Sequence, residues 1–309
     1  MSSKNKITRY NDLFFKFLNR RSNYSKIINS SNQNDLAVTI LEKIDMSIPI
    51  FCLHLIGIMN NNTSNNGKSN HSYFFATAVF YMLTILKIKE HYYNNGNYLL
   101  ELLPIYTIME IIQNSKTMNL NKNVDSDVLN LTTEILENIS KPRFFKNTSR
   151  VKKTDITKYN FQNPNTLKKY EKMERIEYND LITYINETYG ALFKYILDVS
   201  VIVTSFKNKI PEKQHKSLGF LIKIIEDFMN MEKDINDAIE KYTTNICVNI
   251  GIDATYQLYI NNKILFIELG SSLDISSTVT AIIDILDDKF NNCLNNLYID
   301  LKTQNSSYS

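Results

Sequence analysis

The chain has 309 residues, 43% of them hydrophobic and 22% charged, and a formal charge of +3, a globular composition that excludes collagenous, disulfide-dense and disordered classes. Only seven Gly and five Pro interrupt it, too few turn residues for a many-stranded sandwich or barrel, so the expected class is all-α. Basic and acidic residues are interspersed, which leaves no basic face for nucleic acid or acidic lipid.

Met1 to Arg9 and the mixed Tyr10 to Arg21 stretch lack an apolar signal region, so residues 1–35 read as an N-terminal helical extension and the setting as cytoplasmic. Cys52, Cys247 and Cys293 are odd in number and outside any CxxC pair; they read as reduced, mostly buried thiols. After a turn at Ser31 to Asn34, the run Leu36 to Met59 carries Leu41, Ile44, Met46, Ile50 and Leu53 at helical spacing, with a kink expected at Pro49. Asn60 to Asn70 is a polar loop. Ser72 to His91, Tyr98 to Met118 and Asp125 to Ile139 read as helices separated by Asn-rich joints. The most apolar window, Tyr73 to Leu86, is shorter than the ~20 residues of a transmembrane segment and reads as a buried core helix.

Lys141 to Lys169 is basic and polar, contains Pro142 and Pro164, and predicts an exposed loop with at most one short helix. Tyr178 to Lys207 predicts a long helix, and Pro211 opens the next, which runs to about Asp234. Ile246, Val248, Ile250 and Ile252 alternate as in a strand, but the context of Ile235 to Tyr259 favours helix. Ile275 to Leu301 is the closing helix and residues 302–309 a frayed, disordered tail. No repeat or linker divides residues 36–301, which fits one large antiparallel bundle of about ten helices.

Most chemical motifs fail on inspection. Gly67-Lys68-Ser69 has the ending of a phosphate loop, but Asn62 stands where the first Gly belongs. His54, His71, His91 and His215 have no partner at zinc spacing, and GxSxG and GxGxxG are absent. One acidic cluster survives. Leu218, Ile222, Ile225 and Met229 mark a core-facing stripe, and Glu226, Asp227, Asn230 and Asp234 fall on the other side of the same helix. Oxygen ligands one turn apart can share Mg²⁺ with a substrate phosphate; a solvated acidic face is the plainer reading of the same spacing.

At this segment the chain resembles trans-isoprenyl diphosphate synthases, especially the geranylgeranyl diphosphate synthase branch. That family's second aspartate-rich region reads LGLFFQIRDDYLNL, and Leu218 to Met231 reads LGFLIKIIEDFMNM. Upstream, Glu187-Thr188-Tyr189-Gly190-Ala191-Leu192-Phe193 is similar to the family's Lys-Thr-Gly-Gly-Leu-Phe element. Gly67-Lys68-Ser69-Asn70-His71 matches its Gly-Lys-x-x-Arg with His71 at the Arg position, and Glu268 to Thr280 resembles the turn into its last helix. The four pieces keep the family's order and cover roughly Leu36 to Leu301, which implies an isoprenoid synthase-like fold.

The resemblance also implies where chemistry is lost. Active members hold three Mg²⁺ between the second motif and an Asp-Asp-x-x-Asp on a facing helix. Here Leu99 to Met118 is the matching helix, and the motif falls on Met109-Glu110-Ile111-Ile112-Gln113. Only Glu110 remains a carboxylate; a thioether does not bind Mg²⁺, and an amide carries no charge to offset dehydration. The family's Lys before Thr188 has become Glu187, and the Gln of its second motif Lys223. The residual metal or diphosphate set is then Glu110, Glu226, Asp227 and Asn230, and the remnant of an isopentenyl diphosphate site is Gly67, Lys68, His71, Thr188 and Lys241.

Family members are usually dimers, and pairs of an active with an inactive subunit occur. The implied function is therefore a catalytically degenerate homologue in a structural or regulatory role, as a homodimer or as partner of an active prenyl synthase-like subunit. Two alternatives stay open: a divergent short-chain prenyl diphosphate synthase that uses Mg²⁺, and a helical interaction scaffold unrelated to isoprenoids.

Overall fold

The structure, a computed structural model, describes residues 3–24, 27, 41, 44–62, 72–91, 99–141, 145, 147–150, 163–205, 210–238 and 242–305. Helix follows helix: α1 (Ser3–Arg21), α2 (Ser47–Asn62), α3 (Tyr73–His91), α4 (Leu99–Met118), α5 (Lys122–Ser140), α6 (Pro164–Tyr170), α7 (Tyr178–Ile185), α8 (Ala191–Thr204), α9 (Ser217–Asp237), α10 (Ile246–Ile250), α11 (Ile252–Ser272) and α12 (Ser276–Asn305). The only strands among the described residues are β1 (Thr148–Arg150) and β2 (Glu174–Ile176), paired antiparallel with Thr148 opposite Ile176. The chain is an all-α helical bundle, as its composition predicts.

Two helices run through the middle. Phe75 to Leu86 of α3 and Ser217 to Ile225 of α9 are buried without interruption. Continuous burial explains why the α3 sequence is apolar on every side rather than along one stripe. Around them, α2, α4 and α5 pack on α3, while α6, α10, α11 and α12 pack on α9. α1 lies against α12, α2 and α3 and sends Phe14 and Leu18 into the core. Among the described residues no helix is long and apolar enough to cross a membrane.

Local chemistry sets the element ends. Asn121 caps α5 by accepting from the Val124 N–H at 2.9 Å, and Val128, Thr132, Ile135, Leu136 and Ile139 turn one face of that helix inward. Asn163 caps α6, with Pro164 at its start. α7 and α8 form the predicted long helix, but a π-helical turn, Asn186–Gly190, joins them. Such turns insert one residue into the helical ladder and gather at functional sites. Gly251 has φ 84° between α10 and α11, a left-handed conformation that glycine adopts without penalty.

Several expectations need correction. Residues 44–46 are not helical and α2 begins at Ser47, so Pro49 sits in a first turn, where its missing N–H costs nothing, instead of kinking a longer helix. Among its described residues the stretch after Lys141 contains β1 as well as the short helix α6; a three-residue strand held by its partner carries no periodic signal. The alternating Ile246 to Ile252 segment is helical but broken at Gly251, and burial of Ile246, Val248 and Ile252 on both sides of the break produces the strand-like pattern. α12 continues to Asn305, into the expected tail. Cys52, Cys247 and Cys293 are free thiols, the first two buried.

Candidate functional site

The acidic turn of α9 faces inward. Leu218, Ile222 and Ile225 are buried as expected, but Met229, the fourth member of the predicted core stripe, is 59% exposed. On the opposite side Lys223, Asp227 and Asp234 are buried, so the polar face is not the solvated one. Burying charge is costly unless it is paired and hydrogen-bonded, and each of these side chains has partners on other elements.

The hub is Glu90 on α3. Its Oε1 accepts from the Tyr184 hydroxyl at 2.9 Å and its Oε2 from the Tyr189 hydroxyl at 2.8 Å. Lys223 Nζ lies 2.8 Å from Glu90 Oε1 and 2.8 Å from Asp227 Oδ1. One turn earlier on α3, Lys87 pairs with Glu226 and approaches Glu90 at 3.9 Å. Both ammoniums sit near the Tyr189 ring, 5.6 Å from its centroid for Lys87 and 5.7 Å for Lys223, where the aromatic face adds a cation–π attraction. The π-helical turn is what brings Tyr189 here.

A second layer ties α10 to α9. Asp227 Oδ2 accepts the Ile246 N–H at 2.7 Å. Asn245 donates to the Asp227 carbonyl at 2.8 Å and to Asp234 Oδ2 at 2.7 Å. Asn249 donates to the Thr243 and Asn245 carbonyls and accepts the Ile176 N–H at 2.7 Å, fixing β2 to the same cluster. On the other flank Asp45 pairs with Lys289 of α12 at 2.5 Å.

Electrostatics follow from this inventory. Around the hub the carboxylates of Glu90, Glu226, Asp227 and Asp234 outnumber the ammoniums of Lys87 and Lys223. Burial pushes the Asp227 carboxyl up to about 7 against the pull of Lys223, with Glu90 and Asp234 adding to the rise. Burial likewise pushes Asp234 up to about 6 and raises Glu226. Burial lowers the ammoniums of Lys87 and Lys223, but their carboxylate neighbours outweigh it and hold both above the ordinary lysine range. Burial and then Glu90 keep the Tyr184 and Tyr189 phenols protonated well past their usual range. Cys247, which faces Asp227 from α10, is raised by burial.

A pH dependence follows. Unfolded aspartates titrate near ~3.9, so between there and about 7 the native chain binds more protons than the unfolded one at Asp227 and Asp234. Stability then falls as pH rises through that window, by up to about 1.4 kcal/mol per pH unit for each extra proton held. Asp45, held below its ordinary value by Lys289 and Ser47 against burial, works in the opposite sense only at more acidic pH. The urea midpoint is expected to rise on going from neutral to mildly acidic buffer, and Asp227→Asn is expected to flatten that slope.

The structure brings some predicted site residues together and separates others. Glu226 and Asp227 share the cluster, and half-buried Asn230 donates to the Glu226 carbonyl at 2.9 Å. Glu110 is elsewhere. It is buried and accepts from the Asn23 N–H at 2.9 Å and from the Asn23 side chain at 3.0 Å, so it joins α4 to the end of α1. Met109 is 40% exposed and Gln113 is also exposed. The helix that faces the acidic turn is α3, not α4. Thr188 is buried in the π-helical turn and donates to the Tyr184 carbonyl at 2.7 Å. Glu187 is exposed on that turn, so it adds no charge to the cluster. Gly67, Lys68, His71 and Lys241 lie outside the described residues.

Sequence reasoning missed Lys87, Glu90, Tyr184, Tyr189, Asn245 and Asn249. Lys87 and Glu90 left a signal, an opposite-charge pair spaced i, i+3 just after the apolar window Tyr73 to Leu86. Among the described residues no group of three or more His, Cys, Asp or Glu side chains is arranged to hold a metal ion. Glu226 and Asp227 are committed to ammoniums, and this donor set does not fit a Mg²⁺ cluster. No family model matches the chain, and no curated protein matches it.

Proposed function

We propose that the chain is a catalytically degenerate trans-prenyltransferase homologue, of the geranylgeranyl diphosphate synthase type, that works through a partner subunit and not by ionising an allylic diphosphate. The observation that carries this reading is the pairing of Lys87 with Glu226 and of Lys223 with Asp227. In the resembling family the acidic turn serves cations shared with diphosphate. Here the protein's own ammoniums occupy its carboxylates, so a metal ion entering would have to displace one buried and one half-buried ion pair and strand both lysines. Charge stabilisation of the leaving diphosphate, the largest contribution to such chemistry, then has no source in this cluster.

The order LGFLIKIIEDFMNM on a central helix, opposite a second buried helix and beside the turn holding Thr188 and Tyr189, supports descent from that architecture. The role left to such a chain is structural or regulatory, as a homodimer or beside an active synthase-like subunit in the cytoplasm. Its test is transfer activity on the full chain. With geranyl or farnesyl diphosphate, labelled isopentenyl diphosphate and Mg²⁺, no labelled prenyl product is expected.

A further inference from the structure

α1 departs from the charge balance of the rest of the chain. Its 19 residues, SKNKITRYNDLFFKFLNRR, hold six basic side chains and one acid. That is a net +5 in a chain whose total is +3, so everything outside this helix carries −2. Arg9, Arg20 and Arg21, half of the six arginines in the sequence, stand on it. Basic and acidic residues are interspersed over the whole sequence, and that average hides one strongly basic element.

Packing gives the two sides of α1 different surroundings. Phe14 and Leu18 are fully buried, Phe17 stacks on Tyr73 with ring centroids 5.1 Å apart, and Tyr10 meets His54 edge-on at 5.2 Å. These contacts fasten the helix along its length. Arg9, Leu13, Lys16 and Arg20 step by four, three and four residues, so they share the outward face, and all four are exposed. Among the described residues no carboxylate pairs with Arg9, Lys16, Arg20 or Arg21. Leu13 is 39% exposed within the basic row, and Phe15 is 41% exposed to one side of it.

Two properties of this surface select its occupant. Cations without internal partners attract phosphate and carboxylate, arginine most specifically. Large apolar side chains set among them gain by leaving water. A polynucleotide backbone answers the first property alone. An anionic bilayer answers both, because its headgroups meet the cations while the acyl boundary, into which an interfacial helix settles by ~5–10 Å, receives the apolar side chains.

We infer that α1 docks the protein on an anionic membrane surface, with Arg9, Lys16 and Arg20 on lipid headgroups and Leu13 and Phe15 at the acyl boundary. The assignment rests on α1 alone and does not depend on the prenyltransferase reading, which can fail while this stands.

Co-sedimentation of the full chain with vesicles tests it, using phosphatidylcholine alone and phosphatidylcholine mixed with phosphatidylserine. The wild type is expected to bind the mixed vesicles and not the neutral ones, and to bind less as salt rises. Arg9→Gln/Lys16→Gln/Arg20→Gln is expected to weaken binding by ~100-fold, the effect of removing three cations from an anionic surface. Lys122→Gln/Lys168→Gln/Lys172→Gln removes the same charge from exposed positions on other parts of the fold and is expected to bind like the wild type. Leu13→Ser/Phe15→Ser, which leaves every charge in place, is expected to weaken binding by ~10-fold. All these positions are exposed, and an unchanged circular dichroism spectrum shows that each variant folds. A wild type that ignores the mixed vesicles, equal losses in the two triple variants, binding indifferent to Leu13→Ser/Phe15→Ser, or a tighter hold on duplex DNA than on the mixed vesicles would overturn the assignment.

Discussion

Replacing Lys223 with methionine is expected to lower folding stability by about 3–5 kcal/mol near neutral pH, the range for removing one partner from a buried ion pair. The side chain is 3% exposed and lies 2.8 Å from both Glu90 and Asp227. Methionine fills comparable space, so the loss is of charge rather than of packing. Without the ammonium, Glu90 and Asp227 face each other in a water-poor interior, and at least one must take up a proton in the native state. The penalty therefore shrinks in acid, where those protons cost less. Urea unfolding at neutral and at mildly acidic pH measures both effects. The triple variant Lys223→Met/Glu90→Gln/Asp227→Asn is expected to recover most of the loss, because neutral amides remove the stranded charge. A Lys223→Met chain as stable as wild type at neutral pH would mean that the cluster is open to water.

Gly219→Ala is expected to destabilise by about 3 kcal/mol although alanine is the better helix former. Propensity alone favours alanine by ~1 kcal/mol inside a helix. A Cβ built on Gly219, however, stands 2.3 Å from the Tyr189 carbonyl oxygen and 2.6 Å from its carbonyl carbon. Those are backbone atoms of the π-helical turn, which cannot swing aside as a side chain can, and overpacked cores lose about 1–3 kcal/mol or more. Moving the turn also shifts the Tyr189 hydroxyl away from Glu90, so the steric cost extends into the ion cluster. Gly57 is the internal comparison: nothing lies within 4 Å of its Cβ position, and Gly57→Ala in α2 is expected to stabilise by ~0.5–1 kcal/mol. Chemical denaturation of the two variants gives shifts of opposite sign. Stabilisation by both would show that α9 does not touch the π-helical turn.

The helices were legible because their signals are local. The apolar window of α3 marks a core helix by its length, and the turn from Glu268 to Thr280 ends α11 and begins α12. The stripe from Leu218 marks α9, but Pro211 does not open it: Pro211 leads into a separate 3-10 turn, Glu212–Gln214, and α9 starts at Ser217. The site was legible only in half. Glu226 and Asp227 stand out in the sequence, but amphipathicity assigns carboxylates to water, and α9 inverts that assignment because its partners lie far away along the chain. Lys87 precedes Glu226 by 139 residues, and Tyr189 reaches the cluster through a π-helical turn that no spacing rule predicts. The assignment of the facing helix to α4 failed for a related reason. The carboxylate of the aligned α4 motif, Glu110, is buried against Asn23, while the charges that meet α9 stand at the end of α3, beyond its apolar window Tyr73 to Leu86. Asn245 was readable in principle as a cap before Ile246, a signal masked by the alternating residues that follow.

If Lys87 and Lys223 have taken the place of catalytic cations, incorporation of labelled isopentenyl diphosphate with geranyl or farnesyl diphosphate and Mg²⁺ must fail. The chain is assayed as a folded preparation beside Glu226→Gln/Asp227→Asn, which removes both negative charges with little change in shape. No prenyl product is expected from either protein at any Mg²⁺ concentration. Mg²⁺-dependent product from the wild type that disappears in the double variant would contradict it and establish the chain as an active synthase.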